Sequence, residues 1–269
     1  MELKMMTFNL RCRVEADGAN CFDYRRDKIL ALIEREAPDV IGFQEATDGM
    51  LAWLHEVLKD YVVLGHGRDK NYFGECPPIA YRRDRFLLHG FREEWLSDHP
   101  QEPGSRLKDS DQSGCPRVYC CAELVERETG SLFAFFNTHF DHRGRMAQLF
   151  ECDMLLERIG ACGLPFVLTG DLNARPDSAT IGKILSTRDT LGTVDATREI
   201  TGTFHNFSME RIREGQMAKI DYIFTNLPTD PARSYAIPDD DACGHFYSDH
   251  NAVCAYVTLA QENDTENAG

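Results

Sequence analysis

Basic residues are in short supply. The 269-residue chain carries 29 Lys and Arg against 44 Asp and Glu, a formal net charge of −15. Duplex DNA is gripped by clustered cations that release counterions, so no stable duplex-DNA binding is expected, and action on nucleic acid has to run through a local basic patch or a bridging metal. Small or single-stranded substrates fit this balance better. Long apolar runs are missing too: LFAFF at 132–136 falls far short of the roughly 20 residues a membrane helix needs. No membrane insertion is expected. The opening MELKMMTFNLR lacks the apolar stretch and small-residue cleavage site of a secretory signal, so a cytoplasmic location is expected. The ten cysteines, at 12, 21, 76, 115, 120, 121, 152, 162, 243 and 254, include no CxxC pair. That spacing excludes a zinc knuckle, and the chain is too long for a small disulfide scaffold, so they read as reduced packing thiols. No internal repeat or low-complexity linker is found.

An apolar fraction of 42% supplies a substantial core. Strand-like runs rich in β-branched and aromatic residues lie near 3–9, 39–43, 61–65, 78–82, 117–125, 132–138, 164–169, 220–225 and 252–259. Helical periodicity appears at 24–36, stopped by Pro38, at 47–59 with Thr47 as N-cap, and at 144–160. Helices do not separate every pair of strands, which argues against a simple Rossmann alternation and for a mixed-sheet α/β sandwich. Residues 1–260 read as one catalytic domain and 261–269 (QENDTENAG) as a flexible acidic tail. The Gly, Pro, Ser and Asp-rich stretch at 97–116 has two open readings, a substrate-facing loop or a solvated connection.

Five apolar runs end in residues able to hold a metal or move a proton. MMTF leads to Asn9, VIGF to Gln44 and Glu45, LFAFF to Asn137 and His139, FVLTG to Asp171 and Asn173, and HFYS to Asp249 and His250. Carboxylates at the ends of core strands are costly to bury without a compensating cation, and several such ends converging on one divalent ion would supply it. Oxygen ligands without cysteine suit Mg²⁺ or Mn²⁺ rather than zinc, and such ions commonly complete their shell with substrate phosphate. In GDLN an extended backbone would turn Asp171 and Asn173 to one side. Asp221, in KIDYIF, is a candidate to hold one nitrogen of a histidine.

TFN near the start, FQE at 43–45, NTHFDH at 137–142, GDLNARP at 170–176, IDYIF at 220–224 and SDH at 248–250 together resemble the endonuclease/exonuclease/phosphatase superfamily of metal-dependent phosphoesterases. The wording of GECPPIAYRRDRF, EWLSDHP and TFHNF is similar to a bacterial group usually described only by the superfamily name. The resemblance implies a four-layer α/β sandwich, two packed mixed β-sheets flanked by helices, with the site at one edge of the sheets. Position by position, it implies that Glu45 is the principal metal ligand, with Asn9 and Asp249 beside the ion. Asp171 matches the residue that orients or deprotonates water, Asn173 one that contacts phosphoryl oxygens, and His250 the transition-state histidine steadied by Asp221. His139 matches a second histidine at the phosphate or leaving group. Abasic-site endonucleases of the superfamily carry Tyr at the position of His139, which disfavours DNA repair.

Arg82, Glu75 and His142 are substrate-binding candidates, with solvated charge or an ordinary turn as the alternative for each. Asp141 shares that alternative. Arg143 and Arg145 read as capping or flanking the next helix, with a local basic rim as the alternative, His205 and Phe207 as touching substrate or packing, Asp239 to Asp241 as a solvated loop, and Trp53 and Trp95 as packing. The expectation is a Mg²⁺- or Mn²⁺-dependent phosphoesterase that hydrolyses a phosphodiester, either nucleic acid or a small diester, by in-line water attack. The alternatives are a phosphomonoesterase on a sugar or inositol phosphate and a non-catalytic binding module of the same fold. The expected partner is a phosphate-ester substrate, single-stranded nucleic acid included, and no obligate protein partner is evident.

Overall fold

The computed structural model describes residues 1–239 and 244–260. In chain order the elements are β1 (Glu2–Asn9), α1 (Phe22–Glu36), β2 (Val40–Gln44), α2 (Asp48–Val57), β3 (Tyr61–Leu64), β4 (Ile79–Arg82) and β5 (Phe86–Trp95). There follow β6 (Val118–Glu126), β7 (Leu132–His139), α3 (Arg145–Cys162), β8 (Phe166–Asp171), α4 (Ala179–Ser186) and α5 (Arg188–Leu191). The chain closes with β9 (Val194–Asp195), α6 (Met209–Arg213), β10 (Asp221–Thr225), β11 (Tyr235–Ala236) and β12 (Val253–Thr258). They form two mixed six-stranded sheets, ordered β11-β12-β1-β2-β4-β3 and β5-β6-β7-β8-β10-β9. Each sheet has one parallel pair, β1 with β2 and β7 with β8, and each pair is joined by a crossover helix, α1 or α3. Those helices, with α2 and α4, cover the outer faces, and the layers run α/β/β/α.

Period-two alternation sorts the strand residues into these layers. On β1, Met6 and Phe8 pack under α1 and α2, while Leu3 and Met5 join Val40, Phe133, Phe135, Val167 and Ile223 between the sheets. Further along, the inward positions turn polar. Gln44 donates to Asn137 Oδ1 at 2.8 Å, Thr169 Oγ1 donates to the same oxygen at 3.0 Å, and Asn137 donates to the Phe43 carbonyl at 2.6 Å. This buried tier is internally bonded, as a polar group in a core has to be. One step beyond it stand Asn9, His139, Asp171 and Asp221. A Cβ on Gly42 would overlap Thr169 Oγ1 and Asn137, so only glycine lets the sheets approach at that tier.

All nine expected strands form. β5 was not expected; its alternation is broken by a register shift between Leu88 and Gly90. Thr47 does occupy the N-cap of α2, but its side chain makes no capping bond. Asp239 is buried, paired with Lys28 at 3.1 Å and accepting from the Tyr247 amide, so the expected solvated loop is absent at its first residue. Asp240, Asp241, Cys243 and the tail at 261–269 lie outside the described residues. Among the described residues no helix is long and apolar enough to cross a membrane, and the described cysteines are free thiols.

Candidate active site

Four strand ends and two loops deliver the chemical groups to one point. Asn9 closes β1, His139 closes β7, Asp171 closes β8, and Asp221 opens the antiparallel β10 directly opposite Asp171. The Asn9 amide bridges the sheets, donating to Glu45 Oε1 at 3.1 Å and to Asp171 Oδ2 at 3.0 Å. Its oxygen accepts the Arg11 amide at 2.8 Å, so Asn9 ties two carboxylates to the turn that follows β1. Glu45 also accepts from the Cys12 amide at 2.9 Å. His250 donates from Nδ1 to Asp221 Oδ2 at 2.9 Å, and its Nε2 then faces Asp171 at 3.7 Å and Asp249 at 3.9 Å. His139 Nε2 accepts from the Asn173 amide at 3.0 Å and lies 3.7 Å from Asp171. Asn173 reaches it through a left-handed turn, φ 49°, closed by its N–H on Asp171 Oδ1, rather than by the extended backbone expected from GDLN. Arg11 and Glu45 are left-handed as well, and such strained non-glycine positions concentrate where geometry has to be held.

Burial and close charges shift most of the titrating groups of the site. Burial pushes the Asp171 carboxyl up to about 7, reinforced by Asp221 and opposed by His250. Burial likewise raises Asp249. Glu45 feels the same burial, but the Cys12 and Asn9 donors and the His250 and Arg11 charges outweigh it and hold its carboxyl low. His250 is pulled above the usual imidazole range because Asp221, Asp171 and Asp249 overcome its own burial, whereas burial beside Arg117 and Arg68 keeps His139 neutral. The carboxyls of Glu45, Asp171, Asp221 and Asp249 gather round the His250 imidazolium, with Arg11 3.9 Å from Asp249 and with Arg68 and Arg117 further round the cleft. Ligand atoms of Glu45, His139 and Asp171 lie within 4.8 Å of one another, as do those of Asp171, Asp221 and His250. The second trio is spoken for by the Asp221–His250 bond. The first, with two carboxylates and one imidazole, fits a hard divalent cation.

The surrounding cleft measures about 350 Å³. Glu75 and His142 line it, and so do Arg11, Cys12, Arg68, Cys115, Arg117 and Asn206, none of which the sequence had singled out as a site residue. The 97–116 loop therefore contributes to the site through Cys115, with Arg117 just beyond it. Arg117 is buried and bonded to His142 Nδ1 at 3.0 Å, and it stands 3.6 Å from Asp141. Asp141 itself is structural: it accepts from Ser113 and from the Arg143 and Gly144 amides ahead of α3. Arg82 is not in the cleft. It lies at the far end of β4, paired with Asp84 at 2.6 Å, because the antiparallel run of β4 carries its last residue away from the site. His205 packs against Phe246 at 5.2 Å and Phe207 against the same ring at 5.9 Å; their neighbours Phe204 and Asn206 line the cleft instead. Trp53 packs on Phe22.

A two-sheet sandwich with carboxylates and two histidines convergent at one sheet edge fits the phosphoesterase class. The chain belongs to the Endonuclease/Exonuclease/phosphatase family, whose model matches residues 6–250. Members of this family are hydrolases of phosphoesters and generally use divalent metals. An endonuclease/exonuclease/phosphatase from Bacteroides vulgatus is similar at 28% identity and TM-score 0.88, covering 97% of this chain and 100% of that one. A Bacteroides thetaiotaomicron protein described as a mannosyl-6-phosphatase has 25% identity and TM-score 0.83, covering 96% of this chain and 100% of that one. The human Nocturnin catalytic domain, at 16% identity and TM-score 0.69, covers 96% of this chain and 94% of its own and shares the fold. The match to a curated relative, the uncharacterized protein L388 of Acanthamoeba polyphaga mimivirus, is 28% identical over 125 residues and spans 45% of this chain and 46% of that protein.

Proposed function

We propose that the protein is a divalent-metal-dependent hydrolase of small phosphomonoesters, acting by in-line attack of water. The observation that carries this reading is the convergence of Glu45, Asp171, His139 and His250 around one point in a compact polar cleft. Glu45 would hold the ion with Asp249 beside it, while Asn9 fixes the spacing of Glu45 from Asp171. A bound Mg²⁺ or Mn²⁺ supplies Lewis-acid neutralisation of charge on the phosphoryl oxygens. Asp171 orients water and takes its proton, Asp221 fixes the tautomer of His250 and supports its charge, and His250 donates from Nε2 to the phosphoryl oxygens as charge builds on them, while Asn173, bonded to His139 Nε2 and the Phe140 carbonyl, holds the neutral His139 in place beside Asp171. The products are orthophosphate and the free alcohol.

The monoester reading gains over the diester reading on the shape of the cleft. A single-stranded nucleic acid asks for an open basic groove with aromatic platforms. Here, among the described residues, Phe204 is the one Phe, Tyr or Trp lining the cleft, and it is pressed against His250 at 4.8 Å; the chain is acidic overall. The mannosyl-6-phosphatase relative supports the same choice.

The test compares p-nitrophenyl phosphate, bis(p-nitrophenyl) phosphate and a single-stranded RNA with and without Mg²⁺ or Mn²⁺. Hydrolysis should need added metal, favour the monoester, and fall at least about 10²-fold in Asp171→Asn. Activity that survives a chelator or that substitution defeats the assignment. Preference for the diester or RNA restores the phosphodiesterase reading.

A further inference from the structure

Beyond the phosphoryl centre the cleft has a second wall, built on the segment between β3 and β4. Residues 67–75 fold into a tight hairpin: Gly67 N–H bonds to the Tyr72 carbonyl at 3.1 Å, Asp69 N–H to Phe73 at 3.0 Å, and Arg68 N–H to Glu75 at 3.0 Å. Trp95 Nε1 donates to the Arg68 carbonyl at 2.6 Å and pins the hairpin from β5. At its end Cys76 and Ala46 exchange backbone hydrogen bonds at 2.8 and 3.2 Å. That antiparallel bridge ties the hairpin to the segment carrying Glu45, and Glu75 and Glu45 both line the cleft.

Glu75 and Arg68 face each other there at 3.0 Å. The Arg68 side chain is 8% exposed and that of Glu75 26% exposed, so the pair is largely withdrawn from water. Removing both ions from solvent costs several kcal/mol, which one contact repays poorly. A buried pair held only for stability would be expected to use both carboxylate oxygens and several guanidinium N–H groups. Among the described residues neither side chain has a further hydrogen bond, so an acceptor and several donors are left for whatever fills the cleft. Both residues also border the narrow recess that reaches His139. Arg117, on the same side, is already committed to Asp141, His142 and the His139 carbonyl.

The chemistry of this wall selects an alcohol. A second phosphate would meet the Glu75 and Glu45 carboxylates, and an apolar or aromatic group would leave the open acceptor and donors unpaired. Adjacent hydroxyls satisfy both, one donating to Glu75 and its neighbour accepting from Arg68. We infer that Glu75 and Arg68 are specificity residues that read adjacent hydroxyls on the alcohol half of a polyol or sugar phosphate. The inference rests on the monoester reading above.

The experiment measures kcat/KM for mannose 6-phosphate and for phenyl phosphate, which has no hydroxyl to read, in the metal-loaded full chain and in Glu75→Gln, Glu75→Asp and Arg68→Met. The native protein should prefer the sugar phosphate. The ratio of the two constants should drop about tenfold or more in Glu75→Gln and Arg68→Met, chiefly through KM for the sugar phosphate, as expected for one lost charge-assisted hydrogen bond. Glu75→Asp should fall between. A ratio that stays constant while both rates fall together overturns the inference, since Glu75 would then serve the phosphoryl centre. A native protein that prefers phenyl phosphate overturns it too. Failure on both monoesters with turnover of bis(p-nitrophenyl) phosphate instead defeats the monoester reading, and this inference with it.

Discussion

Glu151 offers a measurement in which the buried network behind the site reports on itself. It lies on α3 with no exposure to solvent; one carboxyl oxygen accepts the Asp141 N–H at 2.8 Å and the other has no partner. Burial drives its carboxyl up from an ordinary 4.5 to about 8, with the Asp141 amide and the Arg117 charge pulling partly back. A carboxyl raised in this way keeps its proton in the native state over a range where the unfolded chain has lost it, so it destabilises the fold increasingly as pH rises through that range. Between about pH 5 and about pH 7.5 the loss is on the order of 3 kcal/mol, at about 1.4 kcal/mol per pH unit with allowance for partial titration at both ends. Glu151→Gln keeps the acceptor for Asp141 and has nothing to titrate. The stability of the native protein minus that of the variant should therefore become more negative by about 3 kcal/mol over that interval. Urea denaturation of both proteins at the two pH values measures it, and the subtraction cancels the titrating groups that do not interact with Glu151. Parallel behaviour, with a change under about 0.5 kcal/mol, would refute the reasoning.

Two further changes probe the site and its support. Asp221→Asn removes the charge that His250 Nδ1 contacts at 2.9 Å; kcat should fall by about 10² to 10⁴, and the alkaline limb of the pH–rate profile should move to lower pH as His250 loses its proton more readily, so a profile of unchanged shape counts against the role given to Asp221. Gly42→Ala forces a Cβ into the Asn137–Thr169 tier and should cost about 1–3 kcal/mol or more in denaturant unfolding. Gly160→Ala on α3, whose Cβ would meet only Leu191 at 3.6 Å, should be neutral or stabilising by up to about 1 kcal/mol.

The sandwich was legible because its central strands are apolar on both faces and end in polar triplets that stand out against them. β5 was not, since Leu87, Leu88 and Phe91 are exposed on an edge strand that also carries Arg92, Glu93 and Glu94. β9 and β11, at two residues each, lie below any periodicity. In the site, Glu45, Asp171 and His250 were legible because a chargeable residue at the end of a core strand needs a reason. Arg68 and Arg117 sit in loops where arginine is ordinary, and only the folded chain shows that both are buried. Arg82 misled for the converse reason: its neighbours in sequence, Cys76 and Pro77, abut the site, and one antiparallel strand then leads away from it.

Glu45 follows a strand of one sheet and Asp171 closes a strand of the other, so an ion held as proposed between them would rivet the two halves of the sandwich together. Folding and cation loading are then thermodynamically joined: at a free ion level a hundredfold above its dissociation constant the native state gains about 2.7 kcal/mol, which vanishes when the ion is stripped. A cell that rations its free divalent ions would thereby set this protein's lifetime along with its turnover.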